Sequence, residues 1–125
     1  MTKQLKQIFS RQSLDFPDTI IKLWRTEGPF TFDSQNLKPD PIHPISELAH
    51  KRGDWTYQGQ VSSDGLNPTG LGRLFHRRNR QVDEGQFQVR GKAIFLHGFG
   101  RKIWEDKLYE GYFVNGNLHG RGKMV

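Results

Sequence analysis

The sequence predicts a mainly β fold: a short rod of three stacked antiparallel β-hairpins over residues 55–125, preceded by an irregular arm with short helices over residues 1–54. Three observations carry this expectation. Twelve of the 14 glycines follow Asp54, whereas five of the six prolines precede it. A glycine-centred segment occurs three times, with leading glycines Gly59, Gly85 and Gly111 spaced 26 and 26 residues apart. Asn115-Gly116 sits between two alternating segments, and both central residues of a type I′ hairpin turn need a positive φ.

Composition narrows the function. The 125 residues allow one domain with an arm, not two full domains. The absence of cysteine removes disulfides, thiolate metal sites, iron–sulfur clusters and cysteine nucleophiles. Mean hydropathy is −0.76, and the longest apolar stretch is Ala93-Ile94-Phe95-Leu96, against the ~20 residues a bilayer-crossing helix needs. The net charge of +6 is uneven. Residues 1–54 carry 8 basic and 7 acidic side chains; residues 55–125 carry 11 and 6.

Within the arm, Leu5, Ile8 and Phe9 recur at helical spacing behind Lys3 and Lys6, with Arg11 following. A basic start of this kind is shared by organellar targeting peptides and by many ordinary helices. Pro17 suits the first position of a helix whose apolar stripe is Ile20, Ile21, Leu23 and Trp24. Gly28-Pro29 stops that helix. Residues 29–44 contain four prolines and no period, which reads as an extended connector. Pro44 opens a last short helix, Ile45 to Lys51, closed by Gly53. The arm has too few apolar side chains to offset its ordering entropy alone, so either the second half or other chains must hold it. Ile20, Ile21 and Trp24 are its candidate docking residues.

The second half divides into units near 57–75, 83–103 and 109–125. Tyr57-Gln58-Gly59-Gln60-Val61 is followed by Gly70-Leu71-Gly72-Arg73. Asp83-Glu84-Gly85-Gln86-Phe87 is followed by Gly98-Phe99-Gly100-Arg101. Tyr109-Glu110-Gly111-Tyr112-Phe113 is followed by Gly120-Arg121-Gly122-Lys123. The leading-to-closing glycine gaps are 13, 15 and 11, so length varies only at the hairpin tips. Alternation puts Tyr109, Gly111 and Phe113 on one face and Glu110 and Tyr112 on the other. Glycine weakens a strand interior unless something approaches closely. The expected occupant is an aromatic ring from the neighbouring hairpin. The residues taken to build this packing are Tyr57, Gly59, Gly72, Gly85, Phe87, Gly100, Tyr109, Gly111, Phe113 and Gly122.

The run Tyr-Glu-Gly-Tyr-Phe-Val-Asn-Gly-Asn-Leu-His-Gly-Arg-Gly-Lys at 109–123 resembles a MORN (membrane occupation and recognition nexus) repeat almost letter for letter. The second unit keeps Glu-Gly-x-Phe and His-Gly-x-Gly but has Asp83 in the aromatic position. The first keeps Tyr-x-Gly and Gly-x-Gly but has Val61 for the second aromatic and Pro68 in its tip. The resemblance covers residues 55–125 and implies a rod of stacked antiparallel hairpins without a shared reaction. It also implies service as an assembly module, as in ciliary radial spokes, cytoskeletal scaffolds and membrane junctions. An intracellular setting follows, cilium or cytoskeleton first, with a mitochondrial or other organellar one still open.

Chemistry-bearing residues are few. His97 and His119 occupy the same repeat position, which favours a structural hydrogen bond over a general base or metal ligand. Asp83-Glu84 and Glu105-Asp106 are adjacent pairs that a strand would direct to opposite faces. The Gly-x-Gly elements precede strand-like residues rather than a helix, so they are not nucleotide loops. No nucleophile stands beside a base. Catalytic and metal residues are therefore none, and no cofactor is expected. Arg73, Arg101 and Lys123 recur after Gly-x-Gly and would align as a basic column for acidic lipid headgroups or acidic protein surfaces. Nucleic acid is disfavoured, because the aromatics are committed to packing. The sequence stops at Val125, the last residue of the third return strand, which leads to the expectation of an open end presenting Tyr109, Phe113 and Met124, either covered by a partner or continued as a rod into another chain. The reading is a non-enzymatic structural subunit that docks onto other protein subunits through rod and arm. The alternative is a peripheral membrane tether.

Overall fold

The computed structural model describes residues 17–28, 45–62, 67–91 and 93–125. The amphipathic turns expected within 2–13 and the connector over 29–44 lie outside these residues. One helix, α1 (Asp18–Glu27), precedes seven strands. They are β1 (Ile45–Arg52), β2 (Trp55–Val61), β3 (Pro68–His76), β4 (Gln81–Arg90), β5 (Ala93–Ile103), β6 (Leu108–Val114) and β7 (Asn117–Met124). They form a single antiparallel sheet in which every strand pairs with its sequence neighbour.

Helix α1 begins directly after Pro17, whose carbonyl accepts the Ile21 N–H at 3.0 Å. It ends at Gly28, whose φ of +84° lets its N–H reach the Trp24 carbonyl at 2.8 Å. The helix expected over Ile45 to Lys51 is instead strand β1. Its apolar residues fit either period, and the free edge of β2 decides the outcome by offering a ladder of backbone partners. Ser46 lies opposite Gly59, and Arg52 opposite Trp55. Gly53, with φ +54°, is the first residue of the two-residue turn between them rather than a helix stop.

Other turns follow local chemistry. Asn115 and Gly116 have φ of +50° and +83°, as a type I′ turn requires. Arg80 also adopts a positive φ, closing the four-residue turn between β3 and β4.

Both sheet faces carry apolar clusters. On one face lie Tyr57, Val61, Leu74, Phe87, Leu96, Tyr109 and Phe113, with Trp55, Ile94 and Trp104 at the margin. On the other, Phe75, Val82, Ile103 and Leu108 form a row across β3–β6, and Ile20 and Trp24 of α1 pack onto it. Ile20 and Trp24 are thus buried against the chain's own sheet and not held out for a partner. Ile21 and Leu23 are partly buried beside them. Tyr109 and Phe113 are likewise buried, whereas Met124 is exposed. The exposed end therefore does not present the two rings, because they turn inward onto the glycine-bearing face.

Candidate functional site

The glycines fall into one row. Gly59 pairs with Gly72, Gly72 with Gly85, Gly85 with Gly100, Gly100 with Gly111, and Gly111 with Gly122. The row crosses six strands. Beside it, every hairpin carries the same irregularity. Pro68 to Gly72 spans what Gly59 to Val61 spans opposite, and Leu96 to Gly100 does the same against Gly85 to Phe87. His119 to Gly122 lies against only Gly111 and Tyr112. Each return strand thus holds two extra residues, and the first glycine of each Gly-x-Gly takes a positive φ there: +94° at Gly70, +103° at Gly98 and +71° at Gly120. Between hairpins, by contrast, the register from Gly70/Phe87 to His76/Gln81 is unbroken.

Rings fill the slots above the glycines, but they come from the same hairpin. A Cβ on Gly72 would stand 2.0 Å from Tyr57 Oη, and one on Gly122 would stand 2.1 Å from Tyr109 Oη. In the middle hairpin, where Asp83 replaces the aromatic, the Leu96 methyls take the place, 3.2 Å from a Cβ on Gly85. The neighbouring-hairpin packing expected from sequence is corrected accordingly. Strand side chains lean along their own strand, so Tyr57 covers residues two further on and those opposite them. Neighbouring units meet through ring edges instead: Tyr57 and Phe87 are perpendicular at 5.6 Å.

The two tyrosine hydroxyls differ. Tyr57 Oη donates to the Gln60 carbonyl at 2.6 Å, and burial pushes its ionisation well above the ordinary phenol range. Tyr109 Oη is buried with no hydrogen-bond partner among the described residues. Gln60 is itself buried and plugs the first bulge, its Oε1 accepting the Leu71 N–H at 3.0 Å.

On the reverse face, the row beside the glycines is charged. It runs Gln58, Arg73, Glu84, Arg101, Glu110, Lys123 across β2–β7. Arg101 clamps Glu84 Oε1 through Nε at 3.0 Å and Nη2 at 2.7 Å, and Arg73 Nη1 lies 3.8 Å from Oε2. All three side chains are buried. Arg73 Nη2 also donates to Gln58 Oε1 at 3.3 Å. Arg101 Nη1 donates to the Gly28 carbonyl at 2.8 Å, which ties the end of α1 to the sheet. The start of α1 is held by Glu105, which accepts from Thr19 at 3.0 Å and Arg80 at 2.6 Å. These two donors hold the Glu105 carboxyl below its ordinary range, Arg80 contributing most.

The basic column expected at Arg73, Arg101 and Lys123 is therefore not a surface. Two of its members are buried around a carboxylate, and only Lys123 is exposed, 3.9 Å from Glu27. The sequence held the missing signal. Aligning the glycines of successive units places Glu84 opposite both arginines.

Asp83 and Glu84 do face opposite ways. Asp83 takes a hydrogen bond from Gln81 Nε2 at 2.7 Å and lies 3.5 Å from His76. His97 Nδ1 accepts the Asn115 N–H at 3.3 Å, a structural contact between the second and third units. Gly116 N–H donates to the Leu96 carbonyl at 2.9 Å beside it. Among the described residues, no three histidine or acidic side chains gather as a metal site would require, and no helix is long and apolar enough to cross a membrane.

Strand β7 differs in burial from β2–β6. All eight of its residues are exposed, and no described strand pairs with its outer side. Leu118 and Met124 are about half exposed, at 48% and 55%, and Tyr112 and Val114 of β6 are exposed on the opposite face of the sheet. Compared with known protein families, curated proteins and solved structures, the chain matches none.

Proposed function

We propose that this chain is a non-catalytic structural subunit of a larger protein assembly, a MORN-type hairpin module that docks through its sheet. The observation that supports this most is β7, a fully exposed edge strand carrying Leu118 and Met124 beside a sheet with apolar clusters on both faces. An open edge with apolar side chains is a template for pairing with another chain. The charged side chains within the sheet are spent on its own cohesion, Glu84 with two arginines and Asp83 with Gln81 and His76. The resemblance of residues 109–123 to the MORN repeat supports the same reading and makes a ciliary or cytoskeletal assembly the first setting to examine. The lipid-tether reading loses its basis with the burial of Arg73 and Arg101.

The test is cross-linking mass spectrometry on the epitope-tagged chain in its native cells, together with sizing of the extract. The expected result is migration far above 14.5 kDa with cross-links from Lys107 and Lys123 to other proteins. Migration as a free 14.5 kDa monomer without cross-links overturns the proposal.

A further inference from the structure

The docking reading leaves open what the edge of β7 receives. We propose that it takes an extended acidic strand from a different protein, paired antiparallel. That strand carries a carboxylate opposite Lys123, a glycine opposite Gly122 and an aromatic side chain opposite Met124. The proposal rests on the assembly reading above and specifies the chemistry of its partner.

The glycine pair and the base–acid pair of this junction occur twice in the molecule, and the aromatic residue beside them once, at Tyr109. Where β3 meets β4, Gly72 faces Gly85 and Arg73 faces Glu84. Where β5 meets β6, Gly100 faces Gly111, Arg101 faces Glu110 and Lys102 faces Tyr109. Strand β7 presents Gly122, Lys123 and Met124 in the same phase; Lys123 faces Glu110 on its inner side and lies 3.9 Å from Glu27, and no described strand lies on its outer side.

The backbone is set for it. Leu108 and Val125 exchange both their hydrogen bonds, at 3.1 and 2.8 Å. In an antiparallel ladder such pairs alternate with pairs whose N–H and C=O point away. Met124 and Gly122, aligned with Tyr109 and Gly111, therefore direct their backbone groups to the open side.

Charge selects the occupant. Strand β7 holds Arg121 and Lys123 and no acidic residue, and the Lys123 side chain is 71% exposed. A second β7 centred on Gly122 would set Arg121 against Lys123, and like charges directly opposite destabilise a sheet. A copy added head to tail would bring its β1 alongside. With seven strands alternating in direction, β1 and β7 run the same way, so a copy continuing the sheet with its faces aligned would pair parallel, unlike any pair within this sheet, and a copy turned over would set its faces against the pattern. An acidic strand from another protein meets neither obstacle and joins by strand addition.

The test uses the full chain and a fluorescein-labelled peptide of residues 105–114, which carries the Tyr-Glu-Gly of β6. Fluorescence anisotropy should show saturable binding, with amide shifts confined to residues 117–125. Lys123→Glu should weaken binding by roughly fivefold, and the peptide with Glu110→Lys should restore it on that variant. Because Lys123→Glu sets a carboxylate against Glu110 and beside Glu27, Lys123→Gln, which brings no like charge, is the second variant and should weaken binding of the parent peptide about twofold with amide positions outside 117–125 unchanged.

No saturation below millimolar peptide overturns the proposal, and so does equal affinity for the charge-reversed peptide. In either case Lys123 serves only to keep the edge unpaired. Dimerisation of the chain through β7 in sedimentation equilibrium also overturns it, by naming a second copy as occupant. If the peptide fails while Lys123→Glu still enters its native complex, only this inference falls and the assembly reading stands.

Discussion

The hydroxyl of Tyr109 occupies the place where a β-carbon on Gly122 would be, 2.1 Å away, and Tyr57 stands over Gly72 in the same way at 2.0 Å. Neither glycine has a positive φ, so ring contact and not backbone strain excludes a side chain there. Gly72→Ala should destabilise the fold by about 1–3 kcal/mol, the usual cost of forcing a methyl into packed space. Gly122→Ala should cost less, because the exposed β7 can move outward. Urea denaturation of the two variants checks both the magnitude and the order. Equal, negligible losses would mean that the rings are free to leave.

The two tyrosines should respond differently to losing the hydroxyl. Tyr57→Phe removes a buried 2.6 Å hydrogen bond to the Gln60 carbonyl, a loss of about 1–2 kcal/mol. Tyr109→Phe removes a buried hydroxyl that has no partner among the described residues, and should be neutral or stabilising. Thermal unfolding of the pair gives the comparison directly. A Tyr109→Phe loss matching that of Tyr57→Phe would show that the Tyr109 hydroxyl has an acceptor.

Alkali should act through Tyr57. Burial raises its ionisation above that of a phenol in the unfolded chain, 10.0. Above about pH 10 the unfolded state releases this proton and the folded state keeps it, so stability falls as pH rises. The slope from this one group approaches about 1.4 kcal/mol per pH unit. Stability below pH 10 is unaffected by it. Measured between pH 9 and 11.5, the decline should be shallower in Tyr57→Phe than in the parent.

What was legible in the sequence followed from period and punctuation. The 26-residue recurrence, the alternation of faces and the Asn115-Gly116 turn all depend on residues a few positions apart, and α1 was bounded by Pro17 and Gly28. What was not legible depends on partners distant in sequence. Residues 45–52 fit a helix locally, and only the open side of β2 makes them a strand. Alternation gave the face of Tyr57 but not the direction its ring leans, so the filling of its own hairpin's slot went unseen. Within a single unit nothing distinguishes Arg73 or Arg101 from a surface base, and repetition alone makes them a column. Register between units places Glu84 between them and turns an apparent surface into interior.

That buried triad yields the sharpest stability prediction. Glu84 is fully buried between Arg73 and Arg101, and removing its charge takes away the carboxylate that both buried guanidinium groups share. Glu84→Gln should therefore cost about 3–5 kcal/mol, the range for breaking a buried pair from one side. Arg101→Met should act differently. Glu84 keeps Arg73 nearby, but the Gly28 carbonyl loses its donor and the end of α1 is released. Amide exchange in residues 18–28 should then rise well before exchange in β3–β6. If Arg101→Met lowers protection uniformly across the sheet, the arginine is a general core contact and not the anchor of α1.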